Sequence, residues 1–282
     1  MCEFCHRHGE GEKWYLRAEN YAEDLLSDVK RRRYFANLLT DTGDMRKKLR
    51  LLDRLDRLPG FIKRIIASAF TRHMKKMHFG QVVPIEEVER ILDIVGCVVR
   101  IACLCRHVSV GQERRYCYGL SITPDGGEMA AFLGSLDDSF INGPDTGGLE
   151  RLSPEEALEA IRAHEREGMC HTVWTFHTPF IGGICNCSRQ ECIAMQSTLA
   201  HGVSMLMRAE FVATVDPDSC SGCAQCIAVC PFDAISLHEQ NRKADTDLQR
   251  CFGCGICRAA CPADAIRLKD RAAVPVAARL WL

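Results

Sequence analysis

The residues in this chain best suited to chemistry are its cysteines, 18 among 282 positions, and many stand in fixed spacings. Near the C-terminus runs DSCSGCAQCIAVCPFDAISL, and QRCFGCGICRAACPADAIRL repeats it 31 residues later. Each is C-x2-C-x2-C-x3-C-P. Three thiolates two residues apart let a tight loop wrap one metal centre, and a fourth, followed by proline, is directed across to a second. Pro231 and Pro262 stand where a missing N–H is no loss and a fixed φ helps turn the chain. Gly222, Gly253 and Gly255 let the backbone approach sulfur closely enough for its N–H groups to donate.

So many thiols imply either a disulfide framework or metal ligation. Disulfides need an oxidising compartment, and the first 30 residues hold Glu3, Glu10, Glu12, Glu19, Glu23, Asp24 and Asp28 with no continuous apolar run. That is not a secretory signal. The most apolar stretch, Ile91 to Cys105, is broken by Asp93 and Arg100 and is too short to span a bilayer. The expectation is a cytoplasmic protein with reduced thiols, most of them metal ligands.

The tandem runs resemble the bacterial two-cluster ferredoxins over roughly residues 214–270. That resemblance implies two [4Fe–4S] clusters. Cys220, Cys223, Cys226 and Cys261 would hold one, and Cys251, Cys254, Cys257 and Cys230 the other. Ile227, Val229, Ile235, Ile256 and Ile266 would exclude water, and DAISL and DAIRL would form short closing strands. A pair of zinc sites is the competing reading of C-x2-C; two intact tandem runs argue against it. Such a module transfers single electrons. More broadly, CEFCHRHGEGEKWYL, RIACLCRH, RRYCYGL, HTVWTFHTPFIGGICNC and RAEFVATVDPDSCSGCAQCIAVCP resemble a group of ferredoxin-domain proteins of anaerobic bacteria and archaea. That likeness implies nothing beyond iron–sulfur electron transfer, but it makes residues 1–210 integral to the protein.

The other ten cysteines are Cys2 and Cys5, then Cys97, Cys103, Cys105 and Cys117, then Cys170, Cys185, Cys187 and Cys192. A helix, a β-rich run and a C-x-C recur in two places. PIEEVERILDIVG begins with Pro84 and carries Glu86 and Glu87 in its first turn, complementing the helix dipole. SPEEALEAIRAHEREG has Ser153 as N-cap, Glu156 completing a capping box, and Gly168 as its stop. The runs CVVRIACLC and HTVWTFHTPFIGGICNC follow them, an approximate internal repeat. Packed together, the two halves would bring Cys103, Cys105, Cys117, Cys185, Cys187 and Cys192 to one further iron–sulfur or zinc centre. Cys97, in DIVGCVV, reads instead as a buried hydrophobe. His171, Trp174 and His177 are candidates only for a supporting shell around that centre.

Charge is uneven. Residues 1–80 carry 18 Lys/Arg and 11 Asp/Glu, and Met45 to Met77 alone carry 11 basic residues and 2 acids. Apolar positions 51, 55, 58, 62, 65 and 66 recur at helical spacing, with Pro59-Gly60 as a break. The plain expectation is a basic solvated face over a packed stripe; the sharper one is a dock for an acidic redox partner or, peripherally, an anionic membrane. No groove-reading motif suggests nucleic acid.

No dinucleotide fingerprint, Walker A loop, nucleophile elbow or radical S-adenosylmethionine motif is present; GPDTGG at 143–148 reads as an interdomain loop. Cys2-Glu3-Phe4-Cys5-His6 has the spacing of a c-type haem site. Without export, and with almost no chain before it, the stretch reads as no haem but a subsidiary thiol pair, its metal open. The expected architecture is α+β: a helical basic region 1–80, an α/β cysteine-containing domain 81–210, a ferredoxin domain 211–270 and a tail 271–282. The leading function is an electron-transfer protein or subunit. Two alternatives stand beside it: a reductase whose substrate binds the upstream centre, and a redox or metal sensor.

Overall fold

Alternating β-branched and aromatic residues such as CVVRI and CHTVWT build a seven-stranded sheet at the middle of the chain. The structure is a computed structural model that describes residues 12–111, 114–136 and 149–282. Its N-terminal helices are α1 (Glu23–Leu26), α2 (Val29–Thr40), α3 (Thr42–Leu55) and α4 (Gly60–Met77). Then come β1 (Gly80–Val82), α5 (Ile85–Leu92), β2 (Cys97–Ile101), α6 (Leu104–Val110), β3 (Cys117–Ser121) and α7 (Gly127–Gly134). A second series follows: β4 (Glu150–Leu152), α8 (Pro154–Arg166), β5 (Cys170–Thr175), β6 (Ile181–Cys187) and α9 (Ile193–Leu199).

The first series runs β-α-β-α-β-α and the second β-α-β-β-α, so they match except for α6 between β2 and β3, and the sheet displays this approximate repeat. Its strand order is β4-β2-β3-β6-β5-β1, with β7 (Leu206–Met207) added beside β1. Each half contributes an antiparallel hairpin, β2–β3 or β5–β6, and the two meet where β3 pairs with β6. The first strand of each half crosses over, β1 pairing with β5 and β4 with β2. Only β1–β7 is parallel. The helix signals act as read: Ser153 and Glu156 form a reciprocal capping box on α8, and Gly168 follows it in the left-handed region at φ 82°.

Period-two alternation gives the sheet two apolar faces. One carries Val98, Tyr118, Leu120, Val173 and Ile184, and is covered by Val88 and Ile91 of α5, Ala157 and Ile161 of α8, and Trp14, Tyr15 and Tyr21. The other carries Val99, Ile101, Cys170, Trp174 and Cys187, and is covered by Phe35, Met129, Leu133 and Met195. The N-terminal segment is thus stitched into the sheet, Trp14 donating to Gln81 and Asn20 donating to the Trp14 carbonyl.

Helices α3 and α4 depart from the packed stripe expected of them. The chain does break at Pro59, the residue before α4. Yet Leu51, Leu58, Phe61, Ile65, Ile66 and Phe70 are exposed, Phe61 and Ile65 by about two thirds. The covered contact is small, with Leu55 and Ala67 meeting Val203. The pair turns an apolar row outward among its basic residues.

The C-terminal portion has its own small sheets. There β8 (Phe211–Val215) pairs with β11 (Ile266–Asp270), and β9 (Ile235–Leu237) with β10 (Ala244–Thr246). Short helices α10 (Gln225–Val229) and α11 (Ile256–Ala259) follow the cysteine loops. This portion meets the large sheet where β5 begins and β6 ends. Ion pairs Arg189–Asp233 at 2.5 Å and Arg258–Glu86 cross that junction. The last residues fold back too: Arg208 N donates to the Trp281 carbonyl at 2.9 Å, and Arg271 is fully buried.

Candidate metal centres

The eight C-terminal cysteines gather around two small spaces. One is lined by Cys220, Cys223, Cys226 and Cys261, with Val215, Ala265 and Ile266; the other by Cys251, Cys254, Cys257 and Cys230, with Phe232, Ile235 and Phe252. Each space therefore takes three thiols from one loop and the fourth from the other run. The backbone keeps the 31-residue register. Ala213 N donates to Cys251 Sγ and Ala244 N to Cys220 Sγ, both at 3.4 Å; Ala234 N and Ala265 N donate to Cys230 and Cys261 Sγ at 3.4 and 3.3 Å. Amide donors aimed at sulfur stabilise thiolate charge and raise the reduction potential of a bound centre.

Two glycines are obligatory for these loops. Gly222 and Gly253 lie at φ 72° and 75°, and a Cβ there would stand 2.5 Å from the Arg242 carbonyl oxygen and 2.0 Å from that of Phe211. No side chain fits such a gap.

The two spaces differ in surroundings. Cys223 is exposed, whereas Cys251, Cys254 and Cys257 are all buried. Phe232 and Phe252 stack face to face over the inner space, centroids 4.1 Å apart. Burial raises the Cys257, Cys251 and Cys230 thiols above their ordinary range. Buried thiols of that kind ionise when a metal replaces the proton. Three such thiols and Cys254, whose thiol is held below its ordinary range by Cys170, surround one space, and with amides directed at the Cys251 and Cys230 sulfurs the set fits a cubane.

Upstream, the structure brings all six cysteines of the two C-x-C regions together. Cys117 and Cys185 are cross-strand partners on β3 and β6, with sulfurs 3.4 Å apart. Cys103 bonds to Cys105 and Cys117, and Cys192 to Cys105 and Cys187. The sulfurs run unbroken as Cys185, Cys117, Cys103, Cys105, Cys192, Cys187. Cys103 and Cys192 each immediately precede a seven-residue helix, α6 and α9. An ion pair ties the two regions: Arg106 Nε lies 2.6 Å from Glu191 Oε2, and its Nη1 reaches Cys103 Sγ at 3.6 Å. The Cys103 thiol is held well below its ordinary range by hydrogen bonds from Cys105 and Cys117, with Arg106 adding to the effect.

A seventh cysteine joins them that sequence reasoning left aside. Cys170 opens β5 directly opposite Cys187, and its thiol lies beside that of Cys254. Thr172 also belongs here, its Oγ1 3.5 Å from Cys187 Sγ. Of the candidates for a supporting shell, Trp174 donates to Thr172 Oγ1 at 2.8 Å. His171 faces the other side of the sheet, its Nδ1 2.7 Å from Asn186 Oδ1, and the His177 carbonyl accepts from Arg31. Cys97 stays apart, packed against Gly126. Cys2 and Cys5 lie outside the described residues, as does the 143–148 loop.

Among the described residues, no three His, Cys, Asp or Glu side chains close around one point as a single metal ion requires. The eight C-terminal thiols are no exception, being spread four by four around two spaces. No helix among the described residues is long and apolar enough to cross a membrane.

Comparison with known proteins agrees with this geometry. Residues 213–268 match the family described as the 4Fe-4S dicluster domain. No curated protein matches the chain. The match covers both cysteine runs and the greater part of the strands β8 and β11 that close them. An iron–sulfur dicluster domain is therefore present, within an α+β chain that continues well beyond it.

Proposed function

We propose that this protein transfers single electrons through two [4Fe–4S] clusters, passing them to or from a partner protein. The observation that carries the reading is the paired arrangement of two spaces, each lined by four thiols drawn crosswise from both runs. Cys220, Cys223, Cys226 and Cys261 hold one cluster, and Cys251, Cys254, Cys257 and Cys230 the other. When bound, a [4Fe–4S] cluster supplies reversible one-electron oxidation and reduction.

The chain's own residues define how that chemistry is used. Exposed Cys223 places the outer site at the surface, within reach of a docked partner. Phe232 and Phe252 keep water from the inner site. Ala213, Ala234, Ala244 and Ala265 each hold a thiolate sulfur through a backbone N–H. No proton donor or bound substrate is needed at either site. The basic helices α3 and α4, with their exposed apolar row, are the surface on which an acidic partner would seat.

The reading is tested by one-electron exchange. Protein reconstituted anaerobically with iron and sulfide should bleach on reduction and recover its colour when an oxidised viologen dye is added. Protein that binds about 8 iron atoms yet neither bleaches nor reduces the dye would refute electron transfer as its function.

A further inference from the structure

Six upstream thiols form a continuous run across two halves of one sheet, and their number limits what they can hold. Two thiolates on one tetrahedral metal sit about 3.8 Å apart, given metal–sulfur bonds of about 2.3 Å. The 3.4 Å between Cys117 and Cys185 is close to that spacing. One tetrahedral ion takes four ligands, so six contiguous thiols exceed a single ion. A centre held by all six would therefore be polynuclear.

We propose that Cys103, Cys105, Cys117, Cys185, Cys187 and Cys192 supply the ligands of a third iron–sulfur cluster, linked to the inner ferredoxin site through Cys170. Zinc has no redox chemistry, and nothing about a zinc site would call for contact with an electron-transfer ligand. That contact is present: Cys170 lies opposite Cys187 on one side and meets Cys254 on the other. This part of the inference rests on Cys254 being a ligand of the inner cluster. Arg106 supplies the positive charge that an anionic thiolate centre needs in a buried setting, and its bond to Glu191 locks the two ligand segments together. The Arg106 guanidinium lies 3.9 Å over the Tyr116 ring, which fixes its position. Contacts thus lead from the inner site, through Cys170, to the sheet.

The test is metal and acid-labile sulfide content of anaerobically prepared full-length protein, with Mössbauer spectra, for the wild type and two variants. In the wild type the expected content is at least two iron atoms above the roughly 8 of two cubanes, with matching sulfide. Cys105→Ser/Cys187→Ser should lose only that excess and keep the ferredoxin spectrum. Cys223→Ser/Cys257→Ser should lose ferredoxin iron and keep the excess. Iron near 8 in both the wild type and the first variant would overturn the third cluster while leaving the ferredoxin reading intact. Zinc in place of the excess iron would also overturn it. Iron lost from the first variant but not from the second would instead refute the ferredoxin ligands and uphold the upstream ones. The wild-type content decides the matter even if a variant fails to fold.

Discussion

Two arginines stand beside the inner thiol quartet, and their charges belong to its redox chemistry. Arg271 donates to the carbonyls of Ala209, Phe211 and Cys251, at 2.7, 2.8 and 3.0 Å. Arg208 donates to the Cys251 carbonyl at 3.2 Å and lies 4.4 Å above the Phe252 ring. A fixed cation stabilises the more negative, reduced form of a centre held there. One charge at about 8 Å in an effective dielectric of about 20 is worth roughly 2 kcal/mol. For one electron that is on the order of 100 mV. Arg208→Gln should therefore lower the midpoint potential of the inner cluster by about 50–100 mV in an EPR-monitored titration. The outer cluster should barely move; equal shifts in both would mean the charge acts through the whole fold. Backbone space gives a second prediction at this scale. Gly253→Ala places a Cβ 2.0 Å from the Phe211 carbonyl oxygen and should cost one cluster, about half the ferredoxin iron. Gly202, at φ 69° with open space around it, is the control. Its alanine variant should keep full iron content, with a cost of about 1 kcal/mol.

The paired elements show how much of this protein is local. The cysteine loops, the Ser153–Glu156 box and the break at Pro59-Gly60 were all legible in the sequence, since each depends on residues within a few positions of one another. The convergence of the two C-x-C segments was legible as an expectation because each follows a helix and a β-rich run. The part of Cys170 was not. It depends on the β5–β6 register and on the C-terminal portion docking at the end of those strands, neither of which leaves a local signal. The outward apolar row of α4 was misread for a similar reason. Period alone marks a face but does not say what covers it. Strand β5 also buries His171, whose pKa burial depresses from 6.5 to about 4, and α8 buries His164 with the same result. Both are neutral in the folded protein and protonate near pH 6.5 once unfolded. Their stability contribution is fully present above about pH 6.5 and is lost as pH falls toward 4. The unfolding free energy should drop over that window, by up to roughly 3 kcal/mol for His171 and by less for His164. His171→Gln should flatten the drop; an unchanged pH profile would show that His171 is not its source.

At the scale of the whole molecule, the two thiol quartets have unlike surroundings, one forming an outer end and the other an inner one. The outer end carries exposed Cys223; the inner end is walled by Phe232 and Phe252 and adjoins Cys170 and the sheet. Such a gradient separates the place where electrons are exchanged with a partner from the place where they are held away from water. The exposed row on α4, with Phe61 and Ile65 among its most exposed residues, is where the proposed acidic partner would seat. Phe61→Asp/Ile65→Asp should leave cluster content and potentials unchanged while slowing electron exchange with an acidic partner several-fold, as seen by stopped-flow absorbance. Unchanged exchange would move the dock elsewhere. The central claim is that the crosswise thiol quartets hold two [4Fe–4S] clusters close together, and EPR of the fully reduced protein tests it most directly. The account predicts signals from both ferredoxin clusters, broadened and split by mutual spin coupling, with the outer cluster's contribution and its coupling to the inner one lost in Cys223→Ser. A wild-type spectrum of a single uncoupled cluster, or no iron-based signal at all, would contradict it.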